Sequence, residues 1–129
     1  MLLKLLSDYL NQVEQAIVQC ENAYVERYQE EILTSQRANA NLRFRLRFKQ
    51  THLLEINEAI VITDNYLEFL DYRYHLQDEK NNLVFRYDST PHFPNLSTFP
   101  HHKHLPNDVI SCHKPEINQV LKEATELLR

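Results

Sequence analysis

Apolar residues recur every three or four positions along the first 21 residues of the chain. The apolar stripe consists of Leu3, Leu6, Leu10, Val13, Ile17 and Cys20. An α-helix brings residues three and four positions apart onto one face, and polar residues occupy most of the other positions here. The pattern therefore predicts an amphipathic helix over residues 1–21 that packs against another element.

A strict alternation of apolar and basic residues follows between positions 42 and 49. The apolar positions are Leu42, Phe44, Leu46 and Phe48, and the basic positions are Arg43, Arg45, Arg47 and Lys49. Successive side chains of a β-strand point to opposite faces of a sheet, so the pattern predicts a strand with one buried and one basic face. Glutamates such as Glu26, Glu30 and Glu55 are able to pair with these bases. A solvated, charge-paired face is therefore an alternative to a binding surface.

Further strand patterns occupy residues 53–63, 66–77 and 83–87, where β-branched and aromatic residues are frequent. Residues 23–34 suit a helix face and a strand face equally well, and we assign them as a strand. Together these segments predict an antiparallel meander of about four to five strands over residues 23–88.

Prolines punctuate the chain beyond residue 88. They are Pro91, Pro94, Pro100, Pro106 and Pro115. Because proline lacks a backbone donor and discourages helix, residues 89–114 are predicted to form a histidine- and proline-rich loop. An apolar stripe predicts a last helix over residues 115–129. The expected fold is α+β, a single domain over residues 1–129 with both terminal helices packed on one face of the sheet.

Composition limits the classes of protein to which the chain can belong. Its 129 residues carry a net charge of −4, which argues against nucleic-acid binding through bulk electrostatics. Its apolar runs are too short to span a membrane, and its two cysteines form neither a disulfide framework nor a zinc pattern. We therefore expect a cytoplasmic protein without membrane contact. Any contact with nucleic acid is expected to involve a limited patch of the surface.

Histidines concentrate in one segment. Four of the seven histidines, His92, His101, His102 and His104, lie between Pro91 and His104. Imidazole exchanges protons near neutral pH and is also a common metal ligand. The spacing disfavours a metal site, because adjacent histidines on an extended chain point to opposite sides and the tract lacks the helical His-x-x-x-His spacing. Three interpretations stay open: acid-base chemistry without a metal, a rigid loop whose histidines bond to the backbone and, as the weakest of the three, a metal-dependent site.

The acid-base interpretation fits cleavage of an RNA phosphodiester, which needs an acid, a base and cations that stabilise the phosphoryl oxygens. The candidate catalytic residues are His92, His101, His102 and His104. The candidate substrate-binding residues are Lys103, Arg86, Arg43, Arg45, Arg47, Arg73, His75 and Tyr74. A cationic surface with aromatic side chains nearby suits an RNA backbone and its stacked bases. We expect no metal and no cofactor in this site.

Three segments occur in a characteristic order between residues 70 and 106. They are Tyr72-Arg73-Tyr74-His75-Leu76-Gln77-Asp78, Leu83-Val84-Phe85-Arg86-Tyr87-Asp88, and Pro91-His92 followed by Thr98-Phe99-Pro100-His101-His102-Lys103-His104. In order and spacing they resemble the TumE-like toxin family. The positions that match its motifs are Tyr74, His75, Gln77, Asp78, Arg86, Tyr87, Asp88, His92, His101, His102, Lys103 and His104. One departure is Phe93, where the family often has a second histidine.

The resemblance implies the toxin of a bacterial type II toxin-antitoxin pair, neutralised by a helix-turn-helix antitoxin. Our leading hypothesis is a toxin that acts as a small, metal-independent ribonuclease, with His101 or His102 and His104 as acid and base. The alternative is a non-enzymatic toxin or interaction protein whose histidine loop is structural. The expected partners are the antitoxin and RNA, and a homodimer is an open alternative.

Overall fold

The computed structural model describes residues 2–34, 38–63 and 65–129. The elements of the described residues are α1 (Leu2–Val18), β1 (Ala23–Thr34), β2 (Ala38–Phe48), β3 (His52–Thr63), β4 (Tyr66–Gln77), β5 (Leu83–Asp88), β6 (His102–Leu105), β7 (Asp108–Ser111) and α2 (Ile117–Leu127). Met1, predicted to begin the first helix, and the side chain of Leu3 lie outside the described residues. The α+β class is confirmed.

The strands form one antiparallel sheet in chain order, from β1 to β7. The predicted number of four to five strands is wrong, because the described residues form seven. The two additional strands, β6 and β7, lie inside the segment that was predicted to be a loop over residues 89–114. The prolines do not interrupt them, since Pro100 precedes β6 and Pro106 occupies the turn between β6 and β7.

Both helices pack on the same face of the sheet, as predicted, and we call this the covered face. The strands contribute Leu42, Phe44, Leu46, Phe48, Leu54, Ile56, Ile60, Ile62, Tyr72, Tyr74, Leu76, Phe85 and Tyr87 to its core. The helices contribute Leu6, Leu10, Val13, Ile117, Val120, Leu121 and Ala124. The alternating residues of the same strands point to the opposite side, the open face, which carries no helix among the described residues.

A charged side chain is buried within the covered face. Glu58 of β3 is 3 % exposed. The hydroxyl of Tyr9 donates to its Oε1 at 2.5 Å, and the hydroxyl of Tyr74 donates to its Oε2. Nζ of Lys114 lies 3.9 Å from the same Oε2. The carboxylate is therefore held by donors from α1, β4 and the segment before α2, which ties these three parts together.

No helix among residues 2–34, 38–63 and 65–129 is long and apolar enough to cross a membrane.

Candidate functional site

Side chains of five adjacent strands align in two rows on the open face. The first row runs from β2 to β6 through Arg43, Asn57, Arg73, Asp88 and His102. The second row lies beside it and consists of Arg45, Glu55, His75, Arg86 and His104. Neighbouring strands are about 4.8 Å apart, so each row extends roughly 19 Å across the sheet. The rows connect the basic side of β2 with the histidines of β6.

The two rows end in a compact group, the Asp-His cluster, which consists of Asp88, His102 and His104. Nε2 of His102 lies 2.7 Å from Oδ1 of Asp88 and 3.0 Å from Nε2 of His104. Nε2 of His104 lies 3.6 Å from Oδ2 of Asp88. The side chain of His102 is 1 % exposed, whereas that of His104 is 24 % exposed. His104 is therefore the histidine of the cluster that solvent and a substrate reach.

The segment between β5 and β6 fixes the orientation of the cluster. Nδ1 of His102 lies 2.9 Å from the carbonyl oxygen of Pro100. A carbonyl oxygen only accepts, so Nδ1 carries the proton and Nε2 faces the other two members. The ring of Phe93 packs edge-on against the rings of His102 and His104, with centroid distances of 5.0 and 5.8 Å. One side of the cluster is thus closed by an apolar ring.

Burial favours the neutral form of His104. Burial lowers the pKa of His104 below its ordinary value, and the nearby Asp88 carboxylate opposes this shift. His102, Arg86 and His92 add to the lowering of the pKa. A neutral imidazole keeps an unprotonated ring nitrogen, so His104 is able to accept a proton or bind a cation.

Arg86 and His75 form an oriented pair in the middle of the second row. Nε of Arg86 donates to Nδ1 of His75 at 3.1 Å, and Nε2 of His75 donates to Oε1 of Gln77 at 3.0 Å. Burial lowers the pKa of His75; the positive charge of Arg86 also lowers it, whereas the contact with Gln77 opposes the shift. His75 is therefore a neutral side chain that positions the Arg86 guanidinium.

A cavity of about 660 Å³ opens on the same face. Arg43, Asn57 and Arg73 of the first row line it together with residues 89–91, which follow directly after Asp88. Glu31 and Asp71 also line it, so the cavity is not uniformly positive. Within the described residues the side chain of Arg73 has no hydrogen-bond or ion-pair partner, which leaves its guanidinium available to a ligand.

The comparison with protein families matches residues 13–128 to the family described as Toxin TumE. The chain belongs to the TumE toxin family. The match confirms the resemblance seen over residues 70–106 and extends it to the end of α1, the whole sheet and α2. The comparisons with curated proteins and with solved structures gave no match.

In this member of the TumE toxin family, most of the predicted site residues lie on the open face. The rows contain His102, His104, Arg86, Arg73, His75, Arg43 and Arg45. Arg47 follows Arg45 on the same side of β2 and forms an ion pair of 2.8 Å with Glu26. His92 is exposed and neighbours Phe93 at the rim of the Asp-His cluster.

Three predicted site residues lie on the other side of the sheet. Nδ1 of His101 is 2.9 Å from the hydroxyl of Tyr72, a residue of the covered face. Nζ of Lys103 is 2.7 Å from Oε2 of Glu123 in α2. Tyr74 is fully buried and bonds to Glu58. The sheet separates all three from the Asp-His cluster, because alternate residues of a strand face opposite ways.

Asp88, Asn57 and Phe93 are not among the site residues predicted from the sequence. Asp88 carried a usable signal, since it matches a motif position of the family and ends a predicted strand next to the histidine segment. No local pattern marks Asn57 or Phe93. Asn57 joins the other residues through strand pairing, and Phe93 does so through the path of the segment between β5 and β6.

Proposed function

We propose that this chain is the toxin of a type II toxin-antitoxin pair and that it cleaves RNA bound on the open face of its sheet. Membership of the TumE toxin family supports the toxin role. The observation that carries the RNA-cleaving activity is the alignment of two arginine-containing rows with the Asp-His cluster at their end. These rows supply binding groups and a reactive group on one continuous surface.

The arginines suit a phosphodiester backbone. A guanidinium group presents several donors in a plane and matches phosphate oxygens in a bidentate geometry. Arg43, Arg73 and Arg86 lie along roughly 14 Å of sheet, which suits an extended strand better than a single small anion. The net charge of −4 makes this local surface, rather than the whole protein, the attractive feature for RNA.

His104 is the group that we place next to the scissile phosphate. The hypothesis of His101 or His102 acting with His104 as an acid-base pair does not suit the geometry. His101 lies across the sheet, and the Nε2 atoms of His102 and His104 are 3.0 Å apart. An acid and a base act on oxygens at opposite sides of the phosphorus, so they need to be much further apart. His102 and Asp88 therefore act as positioning residues.

An RNA-cleavage assay with untagged protein tests this proposal. We expect His104→Ala to lower the rate at least about 100-fold, as loss of a reacting side chain does. We expect Arg73→Ala to weaken RNA binding and to reduce the salt dependence of log K by about 0.7, the value for one phosphate contact on a single strand. His113→Ala serves as the control, because His113 is an exposed histidine outside the rows. Cleavage that is absent from the parent, or unchanged in His104→Ala, contradicts the proposal.

The proposed partner is a helix-turn-helix antitoxin. Its gene is expected beside that of this chain, and its co-expression is expected to relieve growth arrest caused by the toxin. A neighbouring reading frame of another kind, or arrest that persists during co-expression with a bound antitoxin, contradicts this part of the proposal.

A non-enzymatic toxin is the second candidate, because the Asp-His cluster also ties β5 and β6 to the backbone at Pro100. In that case Asp88→Asn and His104→Ala are expected to reduce toxicity only in proportion to a lower unfolding temperature. Loss of toxicity at an unchanged unfolding temperature excludes this candidate. Loss of both together, without RNA cleavage by the parent, favours it over the ribonuclease.

A further inference from the structure

Three side-chain atoms with lone pairs converge in the Asp-His cluster. They are Nε2 of His102, Nε2 of His104 and the carboxylate oxygens of Asp88, all within 4.8 Å of one another. Two of these residues are buried, and the third is partly exposed. A buried carboxylate that faces two imidazole nitrogens needs a proton or a metal ion among them, because three acceptors packed together repel each other.

The tautomer of His102 strengthens this requirement. The Pro100 carbonyl accepts from Nδ1 of His102, which directs the lone pair of Nε2 towards Asp88 at 2.7 Å. Metal-binding histidines commonly donate their second ring nitrogen to a backbone carbonyl in this way, which fixes the ring and increases its basicity. The contact with Pro100 is therefore the supporting interaction that a metal ligand needs.

The separations between the donor atoms fit a shared ion. Ligands that bind at about 2.0–2.1 Å with octahedral or tetrahedral angles lie roughly 2.8–3.4 Å apart. The pairs in the cluster measure 2.7, 3.0 and 3.6 Å, which scatter around this range. Small rotations of the side chains would place all three donors at bonding distance.

The surroundings leave one side of such an ion accessible. Phe93 closes the cluster on one side, and 24 % of the His104 side chain is exposed on another. Sites with three protein ligands and one open position are the catalytic type, in which water or a substrate oxygen completes the coordination. The open position here faces the surface that carries Arg86 and Arg73.

We propose that Asp88, His102 and His104 bind a divalent transition-metal ion, with Zn²⁺ the best match to two imidazoles and one carboxylate. This differs from the metal-independent site expected from the sequence. The spacing of His101, His102 and His104 does not reveal that Asp88 joins two of these histidines through the pairing of β5 with β6. Binding of the ion does not depend on the proposed function, but the ion and a proton compete for Nε2 of His104, so His104 acts as a ligand and not as a proton acceptor when the ion is bound. Its placement next to a bound phosphate does rest on RNA binding to the open face.

Metal titration of untagged, chelator-treated protein tests the site. We expect one Zn²⁺ per chain by calorimetry, and a visible absorption band typical of protein ligands on titration with Co²⁺. Asp88→Asn and His104→Gln are expected to lower the Zn²⁺ affinity at least about 10-fold, since even residues that only support ligands have effects of this size. His113→Gln is the matched control and is expected to leave the affinity unchanged.

A variant that is expected to bind metal more tightly tests the site without relying on loss of binding, which misfolding would also cause. The Phe93 ring packs edge-on against both histidines, so Phe93→His places a third imidazole, and a fourth protein ligand, next to the ion. We expect this variant to bind Zn²⁺ more tightly than the parent, with a larger rise in unfolding temperature on metal addition. Circular dichroism of each metal-free variant confirms that it is folded.

The inference is overturned if the folded parent does not bind Zn²⁺, Co²⁺ or Mn²⁺, or if His113→Gln weakens binding as much as His104→Gln does. The second result would assign the ion to exposed histidines. Metal binding without RNA cleavage supports the site and contradicts the proposed function. RNA cleavage by protein that binds no metal contradicts the site and leaves the proposed function standing.

Discussion

Tyr74→Phe removes a single hydroxyl group from the core and separates a structural role of Tyr74 from the substrate-binding role expected from the sequence. Tyr74 is fully buried, and its hydroxyl donates to Glu58. The ring stays in place in the variant, so the packing term changes little. Glu58 loses one of two hydroxyl donors and keeps Tyr9 at 2.5 Å and Lys114 at 3.9 Å.

The magnitude follows from the type of bond that is lost. A hydrogen bond to a charged group contributes about 1.5–3 kcal/mol, and a buried acceptor left unsatisfied adds to the loss. Because the Tyr9 hydroxyl still donates and the Lys114 ion pair remains, we expect a loss of about 2 kcal/mol in the free energy of unfolding. For a chain of this length, that lowers the unfolding temperature by roughly 6–10 °C. RNA binding below the transition is expected to be unchanged, since Tyr74 lies across the sheet from the rows.

Urea unfolding of four proteins measures the effect: the parent, Tyr74→Phe, Glu58→Leu and the double variant. In the Glu58→Leu background the hydroxyl has no carboxylate to bond, so Tyr74→Phe is expected to cost close to nothing there. Tyr24→Phe provides the control on a tyrosine that is 54 % exposed. A cost below about 0.5 kcal/mol for Tyr74→Phe, which is typical of surface changes, contradicts this account. An equal cost in both backgrounds also contradicts it.

Two further predictions concern charges of the covered face. Lys103→Met keeps the aliphatic part of the side chain near the Tyr87 ring but removes the 2.7 Å ion pair with Glu123. We expect the free energy of unfolding, measured with urea, to fall by about 1 kcal/mol and RNA cleavage to be unchanged. A cleavage defect in folded Lys103→Met would instead support the phosphate-binding role expected from the sequence. Burial raises the pKa of Glu58 above its ordinary value, against the opposing contacts with Tyr74, Tyr9 and Lys114. Because the folded state holds the proton more tightly, the contribution of Glu58 to stability is present at acidic pH and is lost as pH rises through the raised pKa. Urea unfolding at several pH values between the ordinary and the raised pKa is expected to show that the free energy of unfolding of the parent falls as pH rises. The fall is expected to be smaller in Glu58→Gln, and equal slopes in the two proteins would contradict this account.

Much of the fold follows from local patterns. The alternation over residues 42–49 fixes both faces of β2, and the stripe after Pro115 predicts α2. Strands β6 and β7 escaped prediction because each spans four residues, too few for an alternation to stand out between prolines. Their existence depends on pairing with β5, which no local pattern reveals.

The candidate site was predictable to the extent that it depends on alternation within one strand. The expectation that adjacent histidines diverge holds for His101 and His102. The same rule places Lys103 with Glu123 on the covered face, although its position between histidines suggested a common site. Asp88 joins the cluster only because β5 pairs with β6 in the register that sets Asp88 opposite His102. Such long-range registers are not encoded in any short segment.

The strand registers also govern how the sequence of this protein can change in evolution. Each row draws its members from five neighbouring antiparallel strands, and every member depends on the odd or even position that it holds within its strand. Insertion or deletion of one residue inside β5 or β6 would move members of the rows to the covered face and carry apolar side chains to the open face. Insertions and deletions are therefore expected to accumulate in the connecting segments, whereas the number of residues in each strand from β2 to β6 is expected to stay constant.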